Sequence, residues 1–361
     1  MPFAAPTRLG VEEAAAVRAA VESVLAGSVW VGGEPVAGFE RAFGAYLGLD
    51  SGREVVGVGN GTDALALAFA ALGLRPGSKI LVSNDEGGYA ATAAAQLGLG
   101  IRVMDLDPDL GVPTARTAAA ADDPSLAAVV ITHLHGDAVP LDDLDAWRRD
   151  RGLLLIEDCA QAHGLRSGGA HVGLVGEAAT FSFYPTKNLG AAGDAGAVVV
   201  DPETAERTRA LREYGWGERY RVEVVGGRNS RLDSLQAAIL TARLPFLDQR
   251  NSRRREIANR YRSLLRLHGD PATTVAHHAV ATLPDHSARE SLREVLGQRG
   301  IMSAIHYPFL VSEMPGLQVS GGPTPVAASR RDRILSLPCF PEMSEVEIET
   351  VEAALSLEGP Q

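Results

Sequence analysis

Between residues 51 and 200, short runs of apolar and β-branched residues alternate with stretches whose apolar positions recur every three or four residues. The runs Glu54–Val58, Lys79–Ser83, Ile101–Asp105, Ala127–His133, Gly152–Glu157, Ala179–Tyr184 and Gly196–Val200 predict seven strands. Helical spacing falls between them over Thr62–Leu72, Tyr89–Leu97, Leu141–Arg149 and Pro202–Arg212, the last with Pro near its start and Arg at its end, where helix termini favour them. This alternation predicts an α/β fold with a mostly parallel, helix-covered sheet. After Arg231 a stretch rich in Leu, Ala and Arg runs to Leu265, broken chiefly by Pro245, and suits helices that bridge two domains. A smaller α+β region follows, with strand-like His278–Leu283 and Ile301–His306, an amphipathic helix over Ala288–Arg299 and a last helix over Ser344–Leu357 opened by the capping sequence Ser-Glu-Val-Glu. The expected organisation is an N-terminal helical segment (1–50), a large α/β domain (51–245) and a small C-terminal domain (246–361).

A chain of 361 residues is long for one simple core, in keeping with that division. Hydrophobic residues at 45% and charged residues at 22% exclude wholesale disorder and fibrous architectures. Lys+Arg 34 against Asp+Glu 45 leaves a net charge of −11, which disfavours broad nucleic-acid binding and confines any phosphate to a local pocket. The opening residues lack a basic segment followed by an apolar one, and the long uncharged stretch Gly87–Ile101, rich in Ala, Gly and Thr, falls short of the roughly 20 apolar residues that span a bilayer. A cytoplasmic protein without membrane contact is expected. Cys159 and Cys339 lie far apart in apolar or small-residue surroundings and lack zinc-ligand spacing, so reduced, buried thiols are expected and no metal.

Three segments hold candidate chemistry. Val58-Gly59-Asn60-Gly61-Thr62-Asp63 follows a strand and opens a helix, so its small residues, the positive helix end and the Thr62 hydroxyl suit a phosphate, although a plain tight turn fits this segment equally well. Gly57 and Gly59 begin like a dinucleotide fingerprint, but Thr62 stands where the last Gly belongs. The apolar strand ending in Glu157-Asp158 places acids where parallel sheets bind ligands, or where an acid caps the next turn. A buried Asp158 needs a cation, and a protonated ring nitrogen is one. Lys187 sits among apolar and small residues in Phe181-Ser182-Phe183-Tyr184-Pro185-Thr186-Lys187-Asn188-Leu189-Gly190, and the chain has one other lysine, Lys79. A lysine held partly desolvated keeps its neutral, nucleophilic form accessible, which arginine cannot do.

A phosphate turn, a strand-end acid and a sequestered lysine are the parts that hold pyridoxal phosphate. With them the sequence resembles the DegT-type sugar aminotransferases, fold-type I pyridoxal-phosphate enzymes that mostly aminate keto sugars carried on nucleotides. The likeness rests on Gly61-Thr62-Asp63-Ala64-Leu65, the stretch from Ile156 to Gly164, the stretch from Thr180 to Gly190, Asn229-Ser230-Arg231-Leu232-Asp233 with Leu235-Gln236-Ala237-Ala238, and His306-Tyr307-Pro308. Trp30-Val31-Gly32-Gly33 and Leu335-Ser336-Leu337-Pro338 extend it nearly end to end. The resemblance implies an aspartate-aminotransferase-like large domain on the seven strands, and a cofactor that alternates between pyridoxal 5′-phosphate and pyridoxamine phosphate. By the same resemblance Lys187 bonds the cofactor aldehyde and shuttles a proton, Asp158 pairs with the ring nitrogen, and Gln161 lies at the ring hydroxyl. Gly61, Thr62 and Ser182 hold the phosphate, and Tyr89 stacks on the ring. Asn229 reaches the phosphate held by a neighbouring subunit, which implies a homodimer with shared sites. The donor implied is glutamate, acting with a nucleotide-linked 3-keto or 4-keto deoxyhexose.

Arg228 and Arg231 are candidate contacts for the donor carboxylate or the diphosphate, and His306 for the substrate mouth, with salt-bridge or structural roles equally open to all three. Two segments depart from the family pattern: Ser83-Asn84-Asp85-Glu86-Gly87-Gly88 before Tyr89, and His133-Leu134-His135-Gly136-Asp137 where relatives read His-x-Tyr-Gly-Gln. They leave the sugar open. So do two alternative readings, an aminotransferase for a cyclic ketone free of nucleotide, such as an inosose, and a binding protein that keeps the fold without turnover.

Overall fold

The computed structural model describes residues 1–356. In chain order the strands are β1 (Glu54–Val58), β2 (Lys79–Ser83), β3 (Gly100–Met104), β4 (Leu126–Thr132), β5 (Leu154–Asp158), the short pair β6 (Arg166–Ser167) and β7 (Ala170–His171), β8 (Ala178–Ser182) and β9 (Gly196–Val200). A hairpin of β10 (Trp216–Glu218) and β11 (Arg221–Val222) follows, then β12 (Ala279–Thr282), β13 (Val319–Ser320) and β14 (Ile334–Leu337). Eight of them form one sheet in the order β1-β9-β8-β5-β4-β2-β3-β13. Only β9 runs against the rest. The seven expected strands are all present, and the eighth, β13, pairs in parallel with β3. Two residues leave no readable period, which is why seven were expected.

The sheet forms because its strands are near-continuous apolar runs, the signature of strands buried on both faces; every residue of β9 is buried. One face is covered by the helix Gly61–Ala71, whose Ala64, Ala66, Ala68 and Ala71 are buried and small enough to let it lie close to the strands. Asn60 starts that helix by accepting the Asp63 N–H at 2.8 Å. The other face is packed by the helix Gly33–Leu47, whose Phe39 and Phe43 meet Phe181 and Phe183 edge-on at 5.0–5.4 Å between centroids. Each such ring, fully buried, contributes on the order of 1.5–3 kcal/mol. Together they fix the segment that leads from β8 to Lys187.

The C-terminal layer has its own core, built from Ile257 and Tyr261 of the helix Leu247–Arg262, the β12–β14 pair, and Leu292, Leu296, Ile348 and Val351 of later helices. Met1 and Ala5 pack against it, so the N-terminus belongs to this layer in space. The final helix, Glu345–Leu355, opens with the expected capping box between Ser344 and Glu347, while the expected end at Leu357 lies outside the described residues. One expectation fails, and one helix goes unpredicted. Ile301–His306 is not a strand, because its backbone is divided between partners: Met302 donates to Met1, Ala304 makes a single bridge to Ser336, and Pro308 just beyond has no N–H to continue a ladder. The six-residue helix Ala115–Ala120, capped by Thr114, was not foreseen, since an alanine run has no polar face to mark its period. Both cysteines are free and buried. Among the described residues no helix is long and apolar enough to cross a membrane.

Candidate active site

Strand register brings the future site together. Thr132 pairs with Asp158, Asp158 with Thr180, Ser182 with Gly196, and Gly196 with Val58, so the ends of five strands meet along one edge of the sheet. A cavity of about 570 Å³ opens there, outside the carboxyl ends of the strands. Gly61, Thr62, Tyr89, Asp158, Gln161, Ser182, Lys187 and His306 line it. Asn229, Arg228 and Arg231 do not.

At one end, Gly61 and Thr62 are the first residues of their helix, where backbone N–H groups lack helical acceptors and the dipole favours an anion. A Cβ on Gly61 would lie 2.6 Å from Ser182 Cβ, and one on Gly196 would collide with the Asn60 carbonyl. The turn and the end of β8 approach this closely only because both positions are glycine. The product is a small-residue cradle with the Thr62 and Ser182 hydroxyls on its wall.

At the floor, Lys187 follows a turn closed by its own N–H donating to Tyr184 O at 2.8 Å. Burial pulls its ammonium down from the ordinary lysine value to about 8, although the charge of Asp158 opposes the shift. Asp158 is 5% exposed and is pushed above the usual carboxylate range by burial, against the Ala160 N–H bond at 3.0 Å and the charge of Lys187. Burial thus favours the neutral form of each group, and the charge of the other offsets this only in part. A ring cation would do the same for Asp158 more directly.

Gln161 is fixed at both ends. Its Oε1 accepts the His135 N–H at 2.6 Å, and its Nε2 donates to the Tyr307 hydroxyl at 3.0 Å. Since that hydroxyl accepts from Gln161, its own proton is left for another acceptor. Tyr89 and Tyr307 meet edge-on at 6.2 Å, and a Cβ on Gly87 would strike both rings, at 2.6 and 2.8 Å. Gly88 has φ 73°, and a Cβ there would meet Met314. This explains the paired glycines of the first departing segment.

His306 stacks on His278 at 4.0 Å with rings 12° apart, and Phe3 lies 5.5 Å from His306. Burial, then Lys187, lowers His306 to about 4, so it is a neutral ring at neutral pH, with Nδ1 bonded to Ser336 Oγ at 2.9 Å. It offers hydrogen bonds and a flat face, not a positive charge. Arg228 is held instead by Asp63 (3.2 Å) and Gln96 (2.9 Å), and Arg231 donates to Asn229 Oδ1 at 3.0 Å. Asn229 is exposed beside the β10–β11 hairpin. Tyr307, His278 and Phe3 are among the lining residues that sequence reasoning did not assign. Tyr307 belongs to a motif it did quote, whereas nothing in the sequence marks Phe3.

Among the described residues His133, Glu157 and Cys159 form a group with metal-ligand spacing. Glu157, however, already accepts from Gly173, Val175 and Gly176 N–H groups at 2.7–2.9 Å and lies 3.1 Å from His133 Nε2, which makes it a clamp between β4, β5 and the following turn. The cavity itself fits pyridoxal phosphate part by part. It has a cradle for a phosphate dianion, a buried acid for a ring nitrogen and a lysine of depressed pKa for an aldehyde.

Residues 11–356 match the DegT/DnrJ/EryC1/StrS aminotransferase family. The chain is 38% identical over 338 residues to a dTDP-3-amino-3,4,6-trideoxy-alpha-D-glucose transaminase of Streptomyces venezuelae, covering 90% of this chain and 87% of that one. It is 38% identical over 314 residues to a UDP-N-acetyl-3-dehydro-alpha-D-glucosamine 3-aminotransferase of Acidithiobacillus ferrooxidans, covering 83% of each. Among solved structures, that of S. venezuelae DesV in complex with a ketimine intermediate superposes with a TM-score of 0.90 at 36% identity, over 98% of this chain and 97% of that one. The chain belongs to the DegT/DnrJ/EryC1/StrS aminotransferase family and is a pyridoxal-phosphate-dependent aminotransferase.

Proposed function

We propose that this chain moves an amino group from glutamate to a nucleotide-linked keto-deoxy sugar, as a cytoplasmic homodimer whose two active sites are shared between subunits. The observation behind it is the single cavity holding Lys187, Asp158 and the Gly61–Thr62 cradle, in a chain whose relatives bear the names of dTDP- and UDP-sugar aminotransferases. When bound, pyridoxal phosphate supplies an aldehyde that takes up an amino group and a ring that accepts electrons from the neighbouring C–H bond. Gly61, Thr62 and Ser182 hold the phosphate, Asp158 holds the proton on the ring nitrogen, and Gln161 orients the ring hydroxyl. Lys187 Nζ then takes the proton from the donor's α-carbon and returns one on the other side of the transfer. The Tyr307 hydroxyl, its acceptor side filled by Gln161, donates its proton into the cavity.

The direct test is a panel of dTDP- and UDP-linked 3-keto and 4-keto hexoses with glutamate, read by mass spectrometry. Amination of at least one of them, with free inosose unreactive, is the expected result; amination of the inosose alone refutes the nucleotide-sugar reading. Tyr307→Phe should keep the cofactor and lower kcat/KM about fivefold, the loss of one neutral hydrogen bond worth about 1 kcal/mol. Steady-state kinetics beside the absorbance of the bound cofactor measure both.

The homodimer rests on Asn229. It is exposed and does not line its own chain's cavity, and the chain also exposes large apolar side chains that water would otherwise wet, Trp30 (61% exposed) before the helix Gly33–Leu47 and Val222 (61%) and Tyr220 (74%) on the β10–β11 hairpin. Ser234 N–H donates to Trp30 O at 3.0 Å, which ties the Trp30 turn to the segment that follows Asn229. Isologous pairing that covers these side chains delivers each Asn229 to the opposite cradle. Mixing a Lys187→Ala chain with an inactive Asn229 variant should restore activity after subunit exchange, because one site then receives both intact residues. A mixture that stays inactive, with exchange verified by mass, places Asn229 in the service of its own chain.

A further inference from the structure

A second cavity, of about 480 Å³, opens beyond the ends of β2, β3 and β4 and shares no lining residue with the first. Both segments that depart from the family pattern converge on it, Asp85 and Glu86 from one and Asp137 from the other. Arg330 enters from the C-terminal layer, in an ion pair with Asp85 Oδ2 at 3.1 Å and donating to Gly111 O at 2.7 Å. Three polar atoms remain buried there without a partner: Arg330 Nε, Glu86 Oε1 and Asp137 Oδ1.

Glu86 is the most exceptional of the three. It is 4% exposed, its Oε2 accepts from Thr132 Oγ1 at 2.7 Å, and its other oxygen has nothing. Burial pushes its carboxyl up to about 8, the Thr132 bond opposes this, and its charged neighbours, Asp158 and Asp85, are both acids that raise it further. Asp137 is likewise held above the ordinary carboxylate range by burial, against a Thr274 hydrogen bond and the charges of Arg330 and Arg262. A buried carboxyl whose charged neighbours are acids, as at Glu86, is unfavourable, and an arriving ammonium group would let it ionise and pair. Leu106, Val139 and Pro140 add an apolar wall suited to the C–H face of a ring. The excess of acids disfavours a nucleotide diphosphate, and among the described residues these acids do not form a metal-ligating group.

We infer that this cavity is a second ligand site, for a small polyhydroxylated amine free of nucleotide, whose ammonium pairs with Glu86 and Asp137 and whose hydroxyl oxygen accepts from Arg330 Nε. The site lies outside the aminotransferase reaction and does not depend on the substrate proposed for it.

The test is calorimetric titration of the full-length holoenzyme, reduced with borohydride so that its cofactor no longer exchanges with amines. Glucosamine is the probe and glucose the neutral control. One site per chain is expected for glucosamine, at least about tenfold tighter than for glucose, and weakened about tenfold or more by Glu86→Gln and by Asp137→Asn. Tyr307→Phe, in the first cavity, should leave the affinity within about twofold. Equal binding of the two sugars on the unaltered chain, which requires no variant to fold, overturns the inference. So does the absence of saturation up to about 50 mM glucosamine, and so does loss of binding in Tyr307→Phe with Glu86→Gln unaffected.

Discussion

Lys187→Ala is expected to reduce amine transfer by about 10⁴-fold or more, at or beyond the upper end of what one positioned proton-transfer group contributes, because the same side chain also holds the cofactor covalently. Lys79 cannot take over. It lies at the start of β2 in an ion pair with Asp123 at 2.9 Å, outside the cavity. The reason Lys187 succeeds is its environment: with its pKa lowered to about 8, about a quarter of the amine is neutral at pH 7.5, against about one part in a thousand for an ordinary lysine. The sign of the pH dependence follows. Capture of pyridoxal phosphate by the cofactor-free chain should speed up as pH rises and level off above about 8, since the neutral amine is the reacting form. Stopped-flow absorbance measures this, and a half-point near 10 would show that Lys187 is not desolvated.

Asp158→Asn should bind cofactor and lose about 10²-fold or more in turnover, corresponding to roughly 3 kcal/mol of barrier. An amide has nearly the shape of the carboxyl and keeps an acceptor for the Ala160 N–H, so the fold has little reason to change. What it removes is the charge that keeps a ring nitrogen protonated, and with it the pull on the electrons released from the donor's C–H bond. Removing a partly unfavourable buried charge should leave thermal stability unchanged or slightly raised. Turnover within about threefold of the unaltered protein would take Asp158 out of the chemistry.

The strands of the main sheet were legible because buried parallel strands are written as apolar runs bounded by turns, and β1, β2 and β9 begin and end where the pattern said. β13 was not, since two residues leave no period, and Ile301–His306 was misread because an apolar run signals burial without saying which backbone will accept its hydrogen bonds. Lys187, Asp158 and the Gly61–Thr62 turn were readable for a local reason: each lies at the C-terminal end of a strand of one sheet or within a few residues of it, so sequence position and place in space coincide. Tyr307, His278 and Phe3 reach the cavity only through the packing of the C-terminal layer and the N-terminus on the large domain, which no local pattern encodes. Glu86 illustrates the same limit. Its segment stands out as a departure, yet only the fold reveals that its carboxyl is buried between other acids.

With two lysines in the chain, one measurement separates the possibilities cleanly. Borohydride reduction of the purified protein, followed by proteolysis and peptide mass mapping, should place the phosphopyridoxyl group on the peptide containing Lys187 and leave Lys79 unmodified. A label on Lys79, or no covalent label on a protein that nonetheless binds the cofactor, would contradict the account.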